Sequence, residues 1–153
     1  MTIYSAPQIV KKEYSSRSLQ ETQIAGEDIA MQLVFPSCVY LVGDMGVGKT
    51  TLTKSIIQSF GYTGEVTSPT YNLVQEYKVE KGIVYHMDLY RIEDPSEIEF
   101  LALDDLWSAQ SLFLIEWPER GLGYLPPNDV ELSICKNTTG VSDVRSIIYK
   151  LRP

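Results

Sequence analysis

Eight consecutive residues, Gly43-Asp44-Met45-Gly46-Val47-Gly48-Lys49-Thr50, carry the densest chemistry in this chain. Glycines at the first and sixth positions, followed by lysine and a hydroxyl residue, let a backbone curl around a phosphate with its N–H groups pointing inward. This is the P-loop (Walker A) spacing. The amides of Met45, Gly46, Val47 and Gly48, with Lys49, Thr50 and Thr51 opening a helix, form a nucleotide-binding cradle at that helix's positive end. Lys49 is placed to bridge the β- and γ-phosphates, and the Thr50 hydroxyl to bind magnesium.

Such a cradle needs a carboxylate at the end of a neighbouring strand, holding the magnesium shell or a water. Glu116 closes the apolar run Ser111-Leu112-Phe113-Leu114-Ile115-Glu116 and fits that position. Asp88 closes Ile83-Val84-Tyr85-His86-Met87-Asp88 and competes for the role, one residue acting directly and the other through water. The expected catalytic residues are Lys49, Asp88 and Glu116, with Thr50 and Glu116 as metal ligands and ATP with Mg2+ as cofactors.

Several neighbours carry more than one reading. His86, the single histidine, shares a strand face with Asp88, where a solitary histidine is more often a hydrogen-bonded packing residue than a proton-transfer group. Arg91 is placed either to pair with Asp88 or to reach a phosphate. Ser68-Pro69-Thr70-Tyr71 sits where P-loop proteins carry a nucleotide-sensing switch, although Ser-Pro-Thr is also an ordinary turn. Trp117 packs over the site mouth or caps the core. Asp44 is an exposed loop residue or a positioning residue.

The elements that must hold these residues are also legible. Ser18-Leu19-Gln20-Glu21 reads as a capping box opening a helix with Leu19, Ala25, Ile29 and Leu33 facing inward, stopped by Pro36. Cys38 to Val42 has the pattern of a strand buried on both faces, and a helix follows from about Lys49 to Phe60 with Leu52, Ile56, Ile57 and Phe60 on one stripe. Gly61 is placed to end it. Tyr71 to Tyr77 and Ile83 to Asp88 read as strands of a hairpin turning at Glu80-Lys81-Gly82. Pro95 can start a helix that turns Ile98, Leu101 and Ala102 inward, before a short helix around Leu103 to Ala109. Ser111 to Glu116 is the central buried strand, and Val130 to Ile134 and Val144 to Leu151 look like edge strands. The fold class expected is α/β: a single P-loop domain over 1–153, its mixed sheet mostly parallel at the centre, flanked by helices and an antiparallel hairpin.

Composition narrows the function classes. The chain has 153 residues, 44% of them hydrophobic, enough for one ordinary core. Its 13 basic and 20 acidic residues leave a formal charge of -7 without a basic run, which argues against tight nucleic-acid binding by this chain alone. Cys38 and Cys135 are distant in sequence and read as buried reduced thiols. Neither a signal-peptide core nor a twenty-residue apolar span is visible, so a cytoplasmic location without membrane contact is the expectation.

Taken together, GDMGVGKTTL at Gly43 to Leu52, SPTYNLVQEY at Ser68 to Tyr77, YHMDLYR at Tyr85 to Arg91 and LIEWPERG at Leu114 to Gly121 closely resemble the TsaE (YjeE) family. The resemblance runs from Ser18 to about Pro127. It implies a weak intrinsic ATPase, raised by partner proteins TsaB and TsaD, that serves tRNA processing by formation of threonylcarbamoyladenosine at position 37. On this view tRNA is held through the complex. The family pattern makes Lys49, Thr50, Asp88 and Glu116 functional, makes Ser68, Pro69, Thr70 and Tyr71 a mobile switch, and sets Trp117 beside the nucleotide. Met45 and Val47 stand where the family usually has Leu and Ala, positions expected to face the loop exterior or contribute backbone only. Backbone contacts near Ser15 to Arg17, and one from Glu119 or Arg120, are expected to complete the nucleotide pocket.

Two other readings share these residues. A small-molecule kinase has the same loop and size, but usually closes an Arg-rich lid, and Trp117 to Pro127 offers only Arg120. A nucleotide-gated protein-binding module would use ATP to order the Ser68 to Tyr71 loop. A GTPase is disfavoured, since no Asn-Lys-x-Asp guanine-reading motif occurs.

Overall fold

The computed structural model describes residues 11–69, 72–137 and 143–152. Seven strands form one sheet in the order β1-β7-β6-β2-β5-β4-β3. β2 (Ser37–Val42) lies between β5 (Ser111–Glu116) and β6 (Val130–Asn137), parallel to both, and β4 (Gly82–Asp88) extends the parallel block beyond β5. Antiparallel strands complete each side: β3 (Val74–Val79) on β4, and β7 (Val144–Leu151) with β1 (Lys11–Ser16) on β6. The central parallel block and the hairpin match the expected class. β6 and β7 are interior strands instead of edges, because β1 covers β7 and β6 pairs with β2.

Strand β1 has no apolar pattern, and nothing in its sequence KKEYSS marks it as a strand. It is held from the side: Lys12 and Tyr14 both donate to the Asp28 carboxylate, and Gln32 donates to the Tyr14 hydroxyl, so one face of α1 (Leu19–Gln32) grips it. Charged residues suit an edge that must not pair with another chain.

β5 decides where the core sits. Leu112 and Leu114 point into the cluster containing α1 and α2 (Lys49–Ser59), while Phe113 and Ile115 point into the cluster on the other face with Cys38, Tyr85 and Met87. All six β5 residues are buried, as expected for a strand covered on both sides. The same alternation sets Val84, His86 and Asp88 of β4 on the face that α2 covers.

The helices follow their caps. Ser18 Oγ accepts the Glu21 N–H, and Glu21 reaches back to the Arg17 N–H, completing the box. Ala25, Ile29 and Leu33 are buried, but Leu19 is 63% exposed: α1 meets α2 around Gln23 and Gly26, and Leu19 lies a turn before that contact. Gly61 ends α2 with a φ of 96°. Downstream, β3 begins at Val74, later than expected, and Tyr71 lies outside the described residues. Pro95–Leu101 is a 3-10 helix that buries Ile98, and the second helix, α3, is only Leu103–Leu106. Ala102 is exposed, not inward, because it forms the left-handed junction between these two pieces at φ 48°.

The cysteines differ. Cys38 is fully buried on β2, and burial, then the charge of Asp129, pushes its thiol up to about 12. Cys135 is exposed, contrary to expectation, because Leu132 and Ile134 take the inward positions of β6. The native protein should therefore react with one thiol reagent equivalent per chain, at Cys135, and with two in denaturant; two native equivalents would contradict the packing of β2.

Close approach of α1 and α2 generates a second prediction. A methyl group at Gly26 would lie 2.6 Å from Ser55 Cβ, whose hydroxyl donates to the Gln23 carbonyl. Helix propensity alone favours Gly26→Ala by about 1 kcal/mol. Overpacking opposes it by about 1–3 kcal/mol, so the substitution should lower the urea midpoint, and a raised midpoint would refute the tight crossing.

Candidate nucleotide site

The candidate site lies where the parallel strands end. β2 runs out at Val42, the loop 43–48 follows, and α2 begins at Lys49. Gly43 passes so close to β6 that a Cβ would meet the Ile134 carbonyl, and Gly48 takes a φ of 108°, which favours glycine. Val47 follows the second of the two expected alternatives: its side chain is buried in the core, and only its backbone faces the loop. Met45 is 63% exposed, as expected.

A cavity of about 380 Å³ opens over the loop, lined by Met45, Gly46, Gly48, Lys49, Thr50, Thr51, Asp88, Tyr90, Glu116, Trp117 and Arg145. The expected catalytic residues Lys49, Asp88 and Glu116 and the hydroxyl of Thr50 converge here. Parallel pairing sets Asp88 level with Glu116, side by side at the strand ends. The Thr50 hydroxyl donates to Glu116 at 3.3 Å and itself accepts from Ser68 Oγ at 3.3 Å. His86 Nε2 lies 2.6 Å from Glu116 Oε2, and both side chains are at most 2% exposed. A chain of polar contacts thus runs from Ser68 through Thr50 to Glu116 and His86.

Lys49 is buried, and its ammonium donates to the carbonyls of Gly43 and Asp44. Its Nζ also stands 3.7 Å from the centroid of the Trp117 ring, a cation–π contact. Burial lowers its pKa from the ordinary value, while Glu116, Glu119, Asp88 and Asp44 pull the other way. Asp88 is shifted upward by burial, opposed by the Tyr90 N–H it accepts at 3.1 Å and reinforced by Glu116. Trp117 adopts φ 56°, a left-handed conformation that is uncommon for a bulky residue, and the turn sets its indole at the site mouth.

Other expectations are placed differently. Ser15 and Arg17 do not line the cavity; they flank the end of β1, where Ser15 pairs with Ser146. Glu119 is off the lining too, and acts on Lys49 only through its charge. Among the described residues Asp88 has no ion-pair partner, so Arg91 is not its counter-ion. Arg91 is exposed and lines a second cavity of about 290 Å³ with Met45, Ser68, Pro69, Leu73, Asp88 and Tyr90. Arg120 stacks over the Tyr90 ring at 5.5 Å. Thr70 and Tyr71 lie outside the described residues.

Two lining residues escaped sequence reasoning. Arg145, on β7, donates from Nε to the Val47 carbonyl at 2.7 Å and brings a guanidinium to the phosphate loop from 98 residues away. Nothing in its local sequence signals this; only the pairing of β7 with β6 places it there. Tyr90, in the YHMDLYR segment, could have been found from its position two residues after Asp88.

The oxygen donors suit magnesium. A hydroxyl and a carboxylate 3.3 Å apart, with a second carboxylate beside them, are hard donors of the kind that would hold this ion. Among the described residues no cluster of three His, Cys, Asp or Glu side chains forms a separate metal cage. Nor is any described helix long and apolar enough to cross a membrane.

Phosphate entering the cradle would draw Lys49 away from the indole. Adding nucleotide should therefore change tryptophan emission in the wild type and in Trp107→Phe, but little in Trp117→Phe. An unaltered response in Trp117→Phe would contradict the Lys49 contact.

Comparison with known proteins agrees with this geometry. A family model described as threonylcarbamoyl adenosine biosynthesis protein TsaE matches residues 16–146. A TsaE protein of Haemophilus influenzae is 50% identical over 96 residues, which span 63% of this chain and 61% of that relative. One from Rickettsia bellii is 38% identical over 83% of this chain and 88% of its own length, and one from Bacillus subtilis 40% identical over 61% and 58%. The crystal structure of YdiB from Bacillus subtilis superposes with a TM-score of 0.73 at 27% identity, covering 95% of this chain and 88% of that one. With its P-loop fold and a family match over most of its length, this chain belongs to the TsaE family of threonylcarbamoyl adenosine biosynthesis proteins.

Proposed function

We propose that this chain is a magnesium-dependent ATPase acting with TsaB and TsaD in the threonylcarbamoylation of adenosine 37 in tRNA. The observation that carries the catalytic part is the approach of the Thr50 hydroxyl to Glu116 beside Lys49 and Asp88, at the mouth of a P-loop. In this reading the amides from Met45 to Thr51 cradle the phosphates and Lys49 bridges the β- and γ-oxygens. Thr50 and Glu116 would hold a magnesium ion, which would neutralise phosphate charge. Asp88, level with Glu116, would help to hold it directly or through water. Ser15, Arg17 and Glu119 complete the nucleotide pocket at its edge, and Ser68, Pro69, Thr70 and Tyr71 respond to the γ-phosphate.

Family membership supports the biosynthetic role, and the acidic balance supports a division of labour in which partner proteins hold the tRNA. Slow intrinsic turnover that the partners raise is part of the same reading. The small-molecule kinase fits less well, since Arg120 is stacked on Tyr90. The nucleotide-gated module draws support from one contact: Ser68 donates to Thr50, so nucleotide chemistry at Thr50 is coupled to the start of the switch.

An ATPase assay with and without TsaB–TsaD and tRNA tests the proposal. Turnover should rise when the partners are added, and Lys49→Ala should lower it about 10²–10³-fold, the usual loss for one transition-state contact. Glu116→Ala should keep nucleotide binding and lose both turnover and tRNA modification. Equal turnover with and without partners would refute the accessory role, and modification surviving in Glu116→Ala would favour the gated module.

A further inference from the structure

His86 is completely buried, and its two ring nitrogens have unlike surroundings. Nε2 lies 2.6 Å from Glu116 Oε2, whereas Nδ1 has no hydrogen-bond partner among the described residues. In the parallel register His86 stands opposite Leu114 and Asp88 opposite Glu116, so the imidazole reaches Glu116 diagonally beneath the site. We propose that His86 is a positioning residue: its Nε2–H holds Glu116 Oε2 and thereby turns Oε1 toward the Thr50 hydroxyl.

Hydrogen-bond accounting selects this arrangement. An ionised carboxylate only accepts, so Nε2 must carry the proton. The opposite tautomer would leave Nε2 and the carboxylate as two acceptors facing each other. Glu116 in turn depends on the donor, because a carboxylate at 2% exposure is costly unless hydrogen bonds replace water. The Thr50 contacts, at 3.3 and 3.5 Å, are longer than the bond from His86 and are spread over both oxygens. Losing the imidazole would free the carboxylate to rotate away from Thr50.

The assignment of the proton is independent of the ATPase reading; its consequence for magnesium rests on that reading. Because the chain has one histidine, a long-range 15N–1H correlation spectrum of the histidine-labelled full chain reports His86 alone. A protonated Nε2 is the expected result. The Nδ1–H tautomer, with Nε2 bare, would overturn the proposal.

Fluorescent ADP titrated with and without magnesium reads the consequence. His86→Leu should raise the magnesium concentration needed for half its effect about 10–100-fold, the usual range for a residue supporting a metal ligand. Metal-free ADP affinity should stay unchanged. His86→Gln, whose amide N–H can reach the place of Nε2, should restore most of the magnesium response. Equal weakening with and without metal, or no rescue by glutamine, would mean that His86 merely packs. A wild type indifferent to magnesium would refute the metal-site reading instead, with the tautomer spectrum still deciding where the proton sits.

Discussion

The contact between Glu116 and the P-loop threonine requires a carboxylate to be delivered into a nearly dry interior. That delivery depends on β5, whose preceding residues are apolar on both faces and leave no path to bulk water until the strand ends. Polar partners must therefore come from neighbouring elements: Thr50 from α2 and His86 from β4. A misregistered β4 would move His86 away, and a shifted α2 would move Thr50. The site and the core are thus tied to the same sheet register.

Surrounding features extend this constraint to the loop. Gly43 runs against β6, Arg145 of β7 holds the Val47 carbonyl, and Val47 is anchored in the core. The phosphate loop is thereby pinned from the C-terminal strands as well as by the helix it opens. On the other side, Trp117 turns through a left-handed conformation that costs of order 1–3 kcal/mol, and its ring faces Lys49. Tyr77 braces the segment leading to Ser68 by exchanging hydrogen bonds with the Thr67 backbone. Ser68 then begins the polar chain that ends at His86.

Legibility varied with the range of the forces involved. The capping box, the β2–loop–α2 order and the buried character of β5 were readable because caps, glycine turns and apolar runs act within a few residues. β1 was invisible because its stability comes from Asp28 and Gln32 on α1 and from pairing with β7. Leu19 and Ala102 were misplaced for a related reason: a local pattern says that a face is apolar, but not where the covering element stops.

By itself the sequence determined that a P-loop would join strand to helix at Gly43 to Thr50, and that carboxylates at Asp88 and Glu116 would end neighbouring strands. Spacing and strand pattern are enough for that, because they are properties of short segments. Tertiary structure alone decided that His86 reaches Glu116 while Arg91 forms no ion pair with Asp88, and that Arg145 arrives from the far end of the chain. Those choices depend on strand order and register, which come from burying both faces of one sheet at once, and no local window of residues encodes that sum.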